Sequence, residues 1–157
     1  MRTLFNSFLN FFWTALAFTP VFLIWWEVGV GLCFWIGLIV AFSLGFVPIE
    51  KFSLSRRRRF YEFWGVKYLR KWVQDGSLAK GSATVISPHD FKGYAQRMNM
   101  YELFHWQCFC FFLATAVVGF MAKEYLLSSA VLVANLLYNF WPILLQQYNR
   151  LRLRKWL

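Results

Sequence analysis

The chain has 157 residues, a formal net charge of +10, 59% hydrophobic residues and 22% aromatic residues. Soluble domains use about 45 to 50% apolar residues, and one water-soluble domain cannot cover this much apolar surface. That excludes a soluble fold and points to a single membrane domain over residues 1–157.

Charged residues are segregated along the chain. No Asp, Glu, Lys or Arg occurs between Thr3 and Trp26 or from Val28 to Ile49, and Leu103 to Ala122 and Tyr125 to Asn149 are likewise uncharged. A bilayer crossing needs about 20 apolar residues, so the pattern predicts an all-α protein with four transmembrane helices over about 4–26, 28–49, 103–122 and 125–149. For the first, Phe11, Phe12, Trp13, Trp25 and Trp26 also suit an interfacial helix. Its apolar run exceeds the h-region of about 7 to 15 residues typical of a signal peptide, and no A-x-A site follows, so it reads as an anchor. Cys33, Cys108 and Cys110 fall inside the spans, are odd in number and show no metal-ligand spacing.

Eleven of the 17 Lys and Arg lie between Lys51 and Arg97, four between Arg150 and Lys155, and the remaining two are Arg2 and Lys123. The positive-inside rule places both termini and the basic segment 51–102 on the cytoplasmic side of the cell membrane, with turns at Glu27 and Lys123-Glu124 facing away. An even number of spans satisfies this.

In the basic segment, Arg56 to Arg59 form a block suited to anionic lipid head groups rather than nucleic acid. Tyr61, Trp64, Tyr68, Leu69 and Trp72 then recur at helical spacing, with Arg59, Lys67, Arg70 and Lys71 on other faces. The pattern predicts a cytoplasmic interfacial amphipathic helix, its aromatic side against acyl chains, ending near Gln74-Asp75-Gly76. Residues 77–88 read as a loop, Ser87-Pro88 can begin a short helix, and His89 reads as a solvated loop residue.

Polar residues at membrane depth face a bundle interior or a wet site by default. Glu102 and His105 share a helix face at the start of the third span; Asn135, Asn139, Gln146, Gln147, Asn149 and Arg150 follow the fourth. In an antiparallel hairpin turning near Lys123-Glu124, residues whose numbers sum to about 247 lie level. Glu102 then faces Leu145 and His105 faces Pro142, which gathers Glu102, His105, Gln146, Asn149 and Arg150 at one depth. Pro142 has no N–H for the Tyr138 carbonyl, so the backbone loosens there. One Glu-x-x-His pair is half of a di-iron motif and does not make one. Asn135 reads as a helix-to-helix hydrogen bond, and Arg152, Arg154 and Lys155 as lipid-facing anchors.

Three stretches resemble one family, the glycosyl-4,4'-diaponeurosporenoate acyltransferases of staphyloxanthin-type carotenoid synthesis. Asn139 to Leu153, NFWPILLQQYNRLRL, resembles the family's C-terminal N-x-P-I-x-x-x-Q-R-Y-N-R-x-R-L, apart from one extra residue before the proline. Tyr101 to Trp106 is similar to its A-E-x-x-H-W, and Lys71-Trp72 followed by Asp75-Gly76 to its K-W and D-G turn. Gln147 stands where the family has arginine and Tyr101 where it has alanine; these departures bear on the substrate more than on the fold.

The resemblance implies acyl transfer to a sugar hydroxyl of a glycolipid or glycosylated carotenoid, a lipid-like acceptor held in the membrane. His105 would be the general base, Glu102 would orient it, and Asn149, Gln146 or Arg150 would donate to the oxyanion. Tyr148, Lys71, Trp72 and Asp75 would bind substrate, and the basic residues, Arg57 and Arg58 among them, would hold the phosphates of an acyl-CoA donor or lipid. It implies no metal or redox cofactor. The competing reading is a non-catalytic lipid- or partner-binding subunit whose polar residues lock the helices together.

Overall fold

A computed structural model describes residues 2–69 and 91–153. These residues form helices joined by turns, with no strand among them. In chain order they are α1 (Arg2–Val28), α2 (Leu32–Ser43), a 3₁₀ turn (Leu44–Phe46), a second (Ile49–Phe52), α3 (Arg58–Phe63), α4 (Val66–Leu69), α5 (Phe91–Met121), α6 (Tyr125–Asn135), a π turn (Leu136–Phe140) and α7 (Trp141–Leu153). The last three run on as one rod, apolar over Tyr125–Arg152.

Three segments, Ser7–Val28, Gly93–Met121 and Tyr125–Arg152, are long and apolar enough to cross a membrane. The second expected span is instead a shorter apolar helix, Leu32–Phe46. Glycine and proline cut it at both ends. Gly29, at φ +85°, closes α1 by bonding its N–H to the Trp25 carbonyl, and Pro48 follows Val47, which is extended at φ −100° and ψ 129° as a residue before proline prefers. At about 1.5 Å per residue, this helix and its 3₁₀ turn reach roughly 22 Å, less than the ~30 Å hydrocarbon core.

α5 organises the bundle. Glu102, His105, Phe109, Phe112, Ala116 and Gly119 recur at intervals of three and four, the spacing of one helix face. Toward the far turn, α1 places Ala17, Val21, Ile24 and Trp25 against Phe112 and Ala116 of α5 and Val131 of α6. The first span is thus packed into the bundle along one stripe, and the Trp25 indole N–H donates to Thr115 Oγ1 at 2.9 Å. A Cβ on Gly119 would fall onto Ser128 Oγ and within 2.7 Å of Ile24 Cδ1, so glycine sets how closely three helices meet. α5 ends in a Schellman turn with Lys123 at φ 67°, Glu124 N–H bonding the Gly119 carbonyl and Lys123 N–H that of Phe120.

At the other end a second core joins Tyr61 and Val66 to Leu144, Leu145 and Tyr148 of α7. The expected amphipathic helix is broken here. Gly65, at φ +72°, separates α3 from α4, so the aromatic stripe does not run on one face. Tyr61 turns inward and is fully buried, while Phe63 is 86% exposed and Tyr68 is also exposed. The continuation through Lys71, Trp72 and Asp75, the turn at Gly76, the loop 77–88 and His89 lie outside the described residues.

Candidate functional site

Between the two cores lies a band of buried polar side chains, and it divides into two groups. The lower group centres on Glu102, which is only 1% exposed. Arg150 grips its carboxylate with both guanidinium nitrogens, Nη1 to Oε2 at 3.0 Å and Nη2 to Oε1 at 3.3 Å. Gln147 Nε2 donates to the same carboxylate at 2.8 Å and to the Phe52 carbonyl at 2.8 Å. Its Oε1 accepts from the Leu54 N–H and the Tyr61 hydroxyl, each at 2.9 Å. Gln147, the departure from the family pattern, is therefore the knot that ties the segment after α2 to α7. Arg150 adds a 3.5 Å bond to the Ile49 carbonyl.

The upper group is a directional ladder. Asn135 Nδ2 donates to the Phe109 carbonyl at 3.0 Å, and because a carbonyl only accepts, this fixes the orientation of the Asn135 amide. Its Oδ1 then accepts from Asn139 Nδ2 at 2.8 Å, which leaves Asn139 Oδ1 facing His105 Nδ1 at 3.4 Å. Nδ1 must carry the proton in this contact, so a neutral imidazole keeps its lone pair on Nε2. Phe104 and Tyr138 flank the half-buried His105 ring, centroids 5.4 and 5.7 Å away, and the Tyr138 hydroxyl bonds Thr14 Oγ1 at 3.0 Å. The π turn sits at Leu136–Phe140, where Trp141 N–H reaches back five residues to the Leu136 carbonyl. It ends two residues before Pro142, which has no N–H to continue the helix bonding.

The single gathering expected of Glu102, His105, Gln146, Asn149 and Arg150 does not form. Glu102 and Arg150 come together, but His105 pairs with Asn139, ten residues before Asn149 and so about 15 Å from it along the rod. Asn149 stands seven residues, about 10 Å, beyond Pro142, the residue level with His105, so the register of the hairpin already separates them. Gln146 and Asn149 are partly exposed and make no hydrogen bond to a described side chain. The buried Tyr148 donates to Glu62 Oε1 at 3.2 Å, and Glu62 pairs with Lys67 at 3.0 Å. That hydrogen bond from Lys67 holds the Glu62 carboxyl below its ordinary pKa and raises that of Lys67. Arg58 reaches the Leu151 carbonyl at 3.4 Å, and Arg57, exposed, opens α3 with its N–H on Ser55 Oγ. Lys71, Trp72 and Asp75 lie outside the described residues.

Tyr61, Thr14 and Tyr138 were missed by sequence reasoning as members of these groups. Tyr61 looked lipid-facing because periodicity shows a stripe without saying what covers it. Asn139, already singled out with Asn135 as a polar residue at membrane depth, stands within one helical turn of Pro142, the residue level with His105, but was assigned no partner. Thr14 and Tyr138, 124 residues apart, carried no signal.

No curated protein and no solved structure matches the chain. The sequence profile of the glycosyl-4,4'-diaponeurosporenoate acyltransferases matches residues 48–157, more than two thirds of its length, and includes both polar groups while leaving α1 and α2 outside. The chain belongs to the glycosyl-4,4'-diaponeurosporenoate acyltransferase family.

Proposed function

We propose that this protein transfers a fatty acyl group from acyl-CoA to a hydroxyl of a glycosylated, lipid-like acceptor at the cytoplasmic face of the cell membrane. The observation that carries the reading is the ladder from the Phe109 carbonyl through Asn135 and Asn139, which leaves Nε2 of His105 as its basic end. Nε2 takes the acceptor's hydroxyl proton as the oxygen attacks the thioester carbonyl. The C–S bond breaks, and the imidazolium returns the proton to the departing thiolate. Asn139 is then a positioning residue for the base, as the third member of a nucleophile–base–orienter set is. Glu102, Gln147 and Arg150 hold α7 against the segment after α2. Gln146 and Asn149, with Arg57, Arg58, Lys71, Trp72 and Asp75, are proposed to meet the head groups of donor and acceptor.

A four-pass arrangement with both termini cytoplasmic fits this chemistry. Its support is the course of α2: Phe34 packs on Trp25 and Phe111, and Ile49 and Leu54 meet Arg150 and Gln147. From Phe111 to Glu102, the partner of Arg150, is nine residues of α5, about 14 Å, so the chain between them travels about half the depth of a ~30 Å crossing. The second reading, a lipid-binding subunit, draws on the Glu102–Gln147–Arg150 tie, whose side chains are engaged internally. The test is purified protein in nanodiscs with labelled palmitoyl-CoA and a glycosylated carotenoid or glycolipid, products identified by mass spectrometry. Acylated acceptor is expected, and its absence with every acceptor while lipid still copurifies supports the subunit.

A further inference from the structure

A groove of about 680 Å³ runs between α1 and α6, lined by Phe12, Leu16 and Leu23 on one side and Ala130, Ala134 and Leu137 on the other. Tyr138 also lines it, and the same ring packs against His105. The wall supplied by α1 lies outside the residues that the family profile matches. We infer that this groove receives the acyl chain of the thioester donor and that α1 thereby sets the preferred chain length; the inference rests on the proposed transfer reaction.

The argument is one of continuity. In an acyl donor the hydrocarbon begins at the reacting carbon itself, whereas the acceptor's reacting hydroxyl sits on a sugar that separates it from any apolar tail. A groove that turns apolar directly beside the base therefore fits the donor chain. The Tyr138 hydroxyl, bonded to Thr14 Oγ1, marks its polar head. Of these two O–H groups, one is used in the mutual bond, which leaves the other to meet a carbonyl oxygen.

Length follows from helix geometry. From Tyr138 to Ala130 is eight residues, about 12 Å, and from Phe12 to Leu23 about 16 Å. An extended chain advances roughly 1.2 Å per bond, so Ala130 stands about ten bonds from the head, and Leu23, nine residues or about 14 Å from Thr14, about eleven. A palmitoyl chain passes Ala130; an octanoyl chain stops short of it.

Ala130 is exposed, so Ala130→Trp fills the groove without disturbing the core. Turnover of palmitoyl-CoA by this variant is expected to fall at least about tenfold, with octanoyl-CoA within about twofold of the parent. An unchanged preference, with turnover intact, overturns the groove and leaves the transfer reading standing. In parallel, palmitoyl-CoA carrying a diazirine near its chain end is photolysed with the unmodified protein. Labelling of residues 12–23 and 130–138 that unlabelled palmitoyl-CoA suppresses supports the groove even where no product forms, a result that would fault the reaction alone. Labelling spread over the lipid-exposed face of α5 and not suppressed overturns the groove.

Discussion

Replacing Arg150 by Met leaves the Glu102 carboxylate in the bundle without the guanidinium that grips both its oxygens at 3.0 and 3.3 Å. With Glu102 1% exposed and the Arg150 side chain 12% exposed, solvent screens the pair little. At an effective dielectric constant near 20, two charges 3 Å apart attract by roughly 5 kcal/mol, and removal of one partner of a buried pair typically costs about 3 to 5 kcal/mol. For a domain of this size about 2 to 4 °C of Tm accompanies each kcal/mol, so Arg150→Met should melt roughly 6 to 20 °C below the parent in the same detergent. Glu102→Gln added to Arg150→Met removes the charge that lost its guanidinium and should recover more than half of that loss, because a neutral amide costs less to keep buried there. A double-mutant cycle read by tryptophan fluorescence on heating measures the coupling. If Arg150→Met melts within about 2 °C of the parent, the pair does not hold the lower site together.

The ladder makes a separate prediction: Asn139→Leu removes the acceptor for His105 Nδ1 and should lower kcat by about 10² to 10⁴ with the KM for acyl-CoA nearly unchanged, as when a histidine loses its orienting partner. An equal rise in KM would mean a role in binding. Gly119→Ala should destabilise by about 1 to 3 kcal/mol, since the new methyl collides with Ser128 and Ile24, while kcat of the surviving folded protein is preserved. At the basic end, the Glu62 carboxyl has its pKa lowered, so its contribution to holding α3 and α4 on α7 is present above the ordinary carboxylate value and is lost as pH falls through the lowered one. Trp64 fluorescence should accordingly be flat through neutral pH and change only in acid, and Glu62→Gln should abolish that change.

The helical architecture and the hairpin of α5 with the last rod were legible because charge-free runs and a charged turn leave few alternatives. Glu102 and Arg150 were expected at one depth, but as the orienter of His105 and an oxyanion donor; in the structure they pair with each other. Other features depend on information that periodicity does not carry. Gly29, Gly31 and Pro48 shorten α2 below the apolar run that contains it, since hydropathy counts residues and not backbone conformations. Tyr61 and Phe63 are both aromatic beside the same arginine block, yet one is buried and the other exposed; two positions apart on α3, they face opposite sides, and the packing of α7 on one side decides between them. His105 turns to Asn139 rather than toward Asn149 because Asn149 lies about 15 Å further along the rod, so the register of the hairpin itself keeps them apart.

The account's central claim is that Nε2 of His105 accepts the proton of the attacking hydroxyl. Single-turnover acyl transfer from palmitoyl-CoA, followed in parent, His105→Ala and His105→Ala supplied with free imidazole, tests it most directly. A loss of at least about 10²-fold in the variant, partly restored by imidazole, is predicted. Transfer by His105→Ala within about twofold of the parent contradicts it.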